Sequence, residues 1–292
     1  MPLGPIPDSD YFAGRVLQYP LEGGELFRCE SCLSMFRHPV MTPTAYLELY
    51  VDGIAEAWSA GEDRQDLAII RKLLASEVRL AKILDVGCGA GGFLSSLPER
   101  FEKFGLDPSG AATAMARRRG MRILGGTLAD LPPSERFDVI TMIDIIEHVE
   151  SPANLLDIAV SHLSPGGLLI VSTGDPGNVF WCKVFRSRFW YSYFPEHISF
   201  PSLKYFELWQ RDRGLEPPMR VRVRYRRLPF WLMTIHFAAQ VAYLVSPGSL
   251  DVLGRCVQAI RRAPRPRRRY FAPVSLGVFK DHHVVVMRRP IA

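Results

Sequence analysis

Cysteine is scarce: five in 292 residues, an odd number. Such a set does not build a disulfide frame, so free thiols in a reducing compartment are expected. No export leader is visible either. Residues 1–12 carry prolines and acids in place of a basic segment followed by an apolar one. The protein is therefore expected in the cytoplasm. Long apolar runs are missing but for one, Leu228 to Val245, which reaches only the short limit of a membrane span and is interrupted by Pro229, Thr234, His236 and Gln240. A buried or interfacial helix is the expectation there. Metal ligands are sparse near the N-terminus. Cys29-x-x-Cys32 sits between aromatics, but no cysteine precedes it and no histidine lies in residues 1–28. His38 could give a third ligand and nothing nearby a fourth, so no metal is expected. The bland reading is a hairpin whose cysteines pack or stay free.

What is present is a chain large enough for a sizeable core, with 48% hydrophobic and 23% charged residues. Its net charge of +6 is uneven, with arginines concentrated after residue 210. The most informative stretch runs from Ile83 to Leu94, ILDVGCGAGGFL. It reads as strand, glycine-rich turn and helix, the unit that opens a doubly wound sheet. Gly87 and Gly89 admit backbone angles that a side chain would forbid, with Cys88 between them. Two cofactors fit such a turn. Gly87, Gly89 and Gly92 satisfy the dinucleotide pattern, which alone is weak. Asp85, Gly87, Gly89 and Gly91 give D-x-G-x-G-x-G, where the carboxylate would repel a pyrophosphate and attract the amino group of S-adenosylmethionine. Asp107 ends a second short strand and can accept both ribose hydroxyls of either cofactor.

Two later landmarks decide. One is Phe137 to Val149, FDVITMIDIIEHV, and the other is Leu163 to Thr173, LSPGGLLIVST. In order and spacing, the four landmarks resemble the class I S-adenosylmethionine-dependent methyltransferases over roughly residues 65–226 and the final strand. The resemblance implies a Rossmann-like α/β fold: a doubly wound, mostly parallel sheet with an antiparallel closing strand. It implies S-adenosylmethionine held by Asp85, Gly87, Cys88, Gly89, Asp107, Leu128, Met142 and Asp144. The adenine loop departs from the family pattern, with Thr127 where an Asp often follows the glycine, so contacts there fall to the Leu128 backbone and to Thr127 or Asp130. The cysteine pair resembles the second half of a zinc-ribbon leader found before some of these enzymes. Trp190-x-x-x-x-Pro195-Glu196-His197 resembles a segment of methyltransferases that act on sugars and other secondary metabolites.

Local readings follow from these anchors. A helical, aromatic-bearing segment from Thr44 to Trp58 serves as lid or core, and a helix is expected over Asp66 to Leu80. Gly91 to Arg100 should form the first crossover helix, and Ser109 should cap the next, Gly110 to Arg119. Asp144 and His148 lie beyond a strand end and share one side of a turn. The aromatics between Phe180 and Phe194 could wall a ring-shaped acceptor. His197, or else His148, could take a hydroxyl proton. Adjacent His282 and His283 alternate faces on a strand, so they do not form a joint metal site.

Three parts are expected: a leader (1–64), the nucleotide domain (65–227 with 281–292), and an apolar and basic helical insert (228–280). The arginines between 261 and 269 could attract nucleic acid, but no RNA-binding motif accompanies them, so none is expected. The partners expected are a small-molecule acceptor and, through the insert, a homodimer or a peripheral membrane contact. The function expected is methyl transfer to a small hydroxylated acceptor, with oxygen favoured over carbon or nitrogen. Its rivals are an NAD(P)-dependent oxidoreductase and a non-enzymatic module that keeps the fold for binding.

Overall fold

The computed structural model describes residues 1–12, 15–51, 64–245 and 279–291. The lid residues Ile54 and Trp58 and the arginine run at 261–269 lie outside these. The leader forms β1 (Pro2–Pro5), β2 (Ser9–Phe12), β3 (Arg15–Leu21), β4 (Glu25–Arg28) and β5 (Met35–His38), then helix α1 (Pro43–Val51). β4 and β5 pair as an antiparallel hairpin with Cys29 and Cys32 in its turn. The nucleotide unit then runs through α2 (Gln65–Glu77), β6 (Ala81–Val86), α3 (Gly92–Ser95), β7 (Phe101–Leu106), α4 (Gly110–Arg118), β8 (Arg122–Gly125), β9 (Phe137–Ile143), α5 (Pro152–Ser161) and β10 (Leu163–Gly174). A long aromatic loop leads to β11 (Ser199–Phe200), α6 (Leu203–Arg211), β12 (Met219–Val223), α7 (Phe230–Val245) and β13 (His282–Arg288).

Seven strands form the main sheet in the order β12-β13-β10-β9-β6-β7-β8. β10, β9, β6, β7 and β8 are parallel, and β13 runs antiparallel to both its neighbours, β10 and β12. The expected doubly wound sheet with its antiparallel closing strand is therefore present. Successive side chains of each strand enter opposite cores. Leu84 packs with Phe104, Ile140 and Leu169 on one face, and Ile83 packs with Ile70, Val139 and Ile170 on the other. Chain order reverses between β6 and β9, where Asp85 lies opposite Thr141. In open α/β sheets, ligands bind off the carboxyl ends of the strands at such a reversal.

Helix α2 buries Ile70 and Leu74 against the sheet, as its periodicity predicts. Ser109 caps α4, its Oγ accepting from the Ala112 amide at 3.3 Å. The expected crossover helix over Gly91–Arg100 is cut to one turn, Gly92–Ser95. Ser95 and Ser96 donate through Oγ to the carbonyls of Gly92 and Phe93, and Pro98 can neither donate an amide nor follow a helical residue easily.

The aromatic loop also departs from expectation. Trp181, Phe185, Phe189, Trp190 and Tyr191 are buried against Leu3, Ile6, Leu26 and Met35 of the leader. They form a third core, and β11 pairs with β5 to seal it. Most of these rings therefore face protein, not an acceptor.

Candidate active site

The glycine turn is built by backbone geometry. Gly87 and Gly89 have φ of 74° and 52°, the left-handed region that glycine alone adopts freely. Their missing side chains serve different ends. A Cβ on Gly87 would lie 1.9 Å from Ile145 Cδ1, so that glycine makes room for a neighbouring side chain. A Cβ on Gly89 would meet nothing within 4 Å, so that residue opens onto free space. The Gly89 amide donates to Asp107 Oδ2 at 2.8 Å, and the Ser109 amide donates to Asp107 Oδ1 at 2.9 Å. Asp107 is thus oriented beside the open face of Gly89, with lone pairs left on both oxygens. Burial raises its pKa, against the pull of those two amides.

A ribose would be met by the two oriented oxygens of Asp107 beside the open face of Gly89, whereas the other expected cofactor residues are more deeply engaged with protein. Asp85 is buried and accepts from Thr141 Oγ1 at 2.6 Å. Burial pushes its carboxyl up to about 7. Cys88 is buried, its thiol raised by the same cause. The side chains of Met142 and Leu128 lie in the core, Met142 is paired with Val86 and Val171 on either side within the sheet, and the Leu128 carbonyl accepts from the Leu131 amide at 3.2 Å. Asp130 Oδ2 accepts from the amides of Gly126 at 2.7 Å and Thr127 at 2.8 Å, so it folds the adenine-side loop. Asp144 stands at φ 53° with its amide donating to Ser172 O. Its Oδ1 is buried without a hydrogen-bond partner among the described residues.

Arg64, at the entrance to α2, carries no motif and went unseen in the sequence. Its Nη1 donates to Asp144 Oδ2, and its Nη2 donates to Asp66 Oδ2 at 2.6 Å. Asp66 Oδ2 also accepts from Ser172 Oγ at 2.7 Å. The guanidinium lies 4.5 Å over the Tyr225 ring. A buried cation therefore sits off the carboxyl ends of β9 and β10.

His148 and His197 come together, their ring centroids 4.9 Å apart. His197 Nδ1 donates to Tyr191 O at 2.8 Å, and burial holds its pKa well below the usual imidazole value. That bond fixes the tautomer and leaves Nε2 with a lone pair. His148 Nδ1 lies 2.9 Å from Glu196 O and 2.6 Å from Tyr50 Oη of α1, and burial takes its pKa down to about 4. Tyr191 Oη donates to Glu147 Oε1, and burial lifts Glu147 to about 7. Ligand atoms of Glu147, His148 and His197 all lie within 4.8 Å of one another, a carboxylate and two imidazoles that could hold a divalent cation. His282 and His283 do face opposite sides. His282 Nδ1 lies 3.2 Å from Asp281 Oδ1 beside Tyr191 and Tyr225, whereas His283 packs against Phe206.

Curated relatives share the nucleotide unit. A ubiquinone biosynthesis O-methyltransferase of Rickettsia canadensis (strain McKiel) is 33% identical over 116 residues, 36% of this chain and 48% of the relative. The mitochondrial ubiquinone biosynthesis O-methyltransferase of Candida albicans is 32% identical over 112 residues, 34% of each chain. This chain therefore spans less than half the length of the curated relatives it matches. The solved coclaurine N-methyltransferase, bound to N-methylheliamine and S-adenosylhomocysteine, has the same fold at 13% identity, with a TM-score of 0.50 over 85% of this chain and 82% of that one. A methyltransferase-domain family profile matches residues 60–217, more than half of the chain. The chain belongs to that family, and its sheet has the class I methyltransferase fold.

Proposed function

We propose that this protein transfers the methyl group of S-adenosylmethionine to a hydroxyl oxygen of a small acceptor. The single observation that supports the binding step best is the open face of Gly89 beside the amide-held Asp107. Asp107 would take the ribose hydroxyls. Asp144 and Arg64 would meet the ammonium and carboxylate of the methionine end, with Arg64 exchanging part of its present pairing for the ligand. The cofactor supplies a methyl group already bonded to a sulfonium leaving group. The chain's own work is to align the acceptor oxygen, where near-attack geometry is worth ~7–11 kcal/mol, and to receive its proton. His197 suits that proton, because Tyr191 O holds Nδ1–H and the neutral ring keeps Nε2 as an acceptor. The C–O bond forms as the C–S bond breaks, and the hydroxyl proton passes to the imidazole.

Oxygen is favoured because the curated relatives are named O-methyltransferases. That name does not extend to the sugar or secondary-metabolite acceptor expected from the Pro195-Glu196-His197 segment, so the proposal stops at a small hydroxylated molecule. The test is transfer of isotope-labelled methyl from S-adenosylmethionine to a panel of phenols, sugars and amines, with nuclear magnetic resonance of the product. Label on nitrogen alone would overturn the proposal. The cation-sized cluster favours a second reading, in which the histidines are metal ligands. Activity lost in a chelator and restored by a divalent cation would move His148 and His197 to that role; indifference to chelation keeps the proton reading.

A further inference from the structure

Helix α7 carries no Asp, Glu, Lys or Arg, and His236 is its one titratable imidazole: FWLMTIHFAAQVAYLV. One face is seated on the protein. Gln240 is buried and donates to Arg188 O at 3.0 Å, and Arg188 donates back to Leu244 O at 2.6 Å. The other face is apolar as well, and water reaches it. Phe230 is 79% exposed, Trp231 61% and Ile235 54%. A second exposed group, Val179 and Val184, stands on the aromatic loop. The two groups are continuous, because Phe279 stacks on Phe180 at 3.8 Å and meets Phe237 at 6.1 Å.

The exposed charges on the two chain segments that carry this patch have one sign. Lys183, Arg186, Arg226 and Arg227 are exposed at its borders. Residues 176–195 and 217–245 contain no Asp or Glu. Sheet register places the patch. Gly174, where the aromatic loop begins, and Val223, which leads to α7, both pair with His282. Both segments leave the sheet from the edge that carries Asp144 and the histidines.

We infer that this patch is a docking surface for an anionic lipid bilayer, with α7 lying flat in the headgroup region. An apolar patch ringed by bases has the chemistry of such a surface. A second copy of the chain fits less well, because a symmetric contact would bring bases against bases. Spanning does not fit either. Sixteen residues make a helix of about 24 Å, short of the ~30 Å hydrocarbon core. No helix among the described residues is long and apolar enough to cross a membrane. The inference does not depend on which acceptor is methylated.

The test uses the whole chain and sedimentation with vesicles of phosphatidylglycerol and phosphatidylcholine in equal parts, against phosphatidylcholine alone. The expected result is co-sedimentation with the anionic vesicles only. Among the described residues Trp181, Trp190 and Trp209 are buried while Trp231 is exposed, so in a Trp58→Phe background a blue shift of tryptophan fluorescence on the same vesicles should disappear in Trp231→Phe. Two surface variants, Trp231→Ser with Ile235→Ser and Arg226→Glu with Arg227→Glu, should each lower vesicle binding at least about tenfold. Unchanged S-adenosylmethionine affinity would show both variants folded. No anionic binding, equal binding to both vesicles, or full binding by both folded variants would overturn the inference. So would a dimer in light scattering that the Trp231 variant abolishes, which would give the patch to a second copy.

Discussion

Arg37 Nη2 donates to Ser192 O at 2.7 Å, joining residues 155 apart in the chain. The same guanidinium donates to Phe194 O at 2.9 Å, to His197 O at 3.3 Å and to Gly23 O at 2.8 Å. Arg37 is 4% exposed, and its guanidinium donates to four backbone carbonyls. Burial lowers its pKa to about 10, so it stays charged at neutral pH. The leader thereby holds the loop that carries His197. Arg37→Ala should cost ~3 kcal/mol of stability, because hydrogen bonds from a charged donor are lost and carbonyls are left buried. It should also lower kcat while S-adenosylmethionine affinity, set by the far glycine turn, is kept. Arg37→Lys should rescue little, since a lysine cannot reproduce the planar fork. Denaturant unfolding, calorimetric titration and steady-state rates separate the three effects. Equal stability of Arg37→Ala and the parent would refute the clamp.

The cofactor end gives a sharper expectation. Asp107→Ala should weaken S-adenosylmethionine binding ~10–100-fold, the loss of charge-assisted bonds worth ~1.5–3 kcal/mol. The variant also frees the Gly89 amide, so the fold must be checked alongside by circular dichroism. Undiminished affinity in a folded variant would take Asp107 out of the ribose site.

For the proton, His197→Ala should reduce turnover ~100-fold or more. Binding of S-adenosylmethionine should persist, because His197 touches the loop and His148 rather than the glycine turn. If activity survives, the ring only orients the loop, and His148→Ala becomes the informative variant.

How far this architecture was legible depends on how local its causes are. The strands β6, β9, β10 and β13 read directly, because strands buried on both faces are nearly unbroken apolar runs. Ser109 read as a cap because its partner is three residues away. The crossover helix was overread: the pattern gave its start and not the serine hydroxyls and Pro98 that end it. Aromatic content after Thr173 signalled burial without saying against what, and the answer was the leader. Arg37 and Arg64 were invisible for one physical reason. Each is a single cation whose partners are brought in from distant segments, and no spacing encodes such a contact. The glycine turn was legible from its spacing, but the distinct jobs of Gly87 and Gly89 depend on Ile145, which packs against one and not the other.

Acid should destabilise the protein through its buried imidazoles. Burial takes His283 down to about 4 despite Asp175 nearby, and among the described residues both its ring nitrogens lack a hydrogen-bond partner. An unfolded histidine titrates near ~6.5. Between the two values the unfolded chain binds a proton that the folded chain refuses, so stability falls as pH drops from 6.5 toward 4. His283→Phe keeps a ring beside Phe206 and removes the titration. It should flatten the profile by as much as ~3 kcal/mol across that window and change little at pH above ~7. Urea midpoints of the two proteins on either side of the window test this, and parallel profiles would contradict it.

The two glycines of the turn should fail in different ways when each is changed to alanine. In Gly87→Ala the new methyl group would overlap Ile145 Cδ1 at 1.9 Å, and φ of 74° adds strain. Overpacking and a left-handed alanine together should cost ~3 kcal/mol of stability. Shortening the neighbour in Gly87→Ala with Ile145→Ala should recover part of that loss, a coupling that a double-mutant cycle reads. Gly89→Ala bears only the backbone strain, ~1 kcal/mol, because its Cβ enters open space. That space is where the proposed cofactor would lie, so this variant should fold and lose S-adenosylmethionine affinity at least ~10-fold, a difference of ~1.4 kcal/mol. Thermal unfolding without ligand, followed by titration with S-adenosylmethionine, distinguishes the two. If Gly89→Ala binds as tightly as the parent, the open face of the turn is not the cofactor's place.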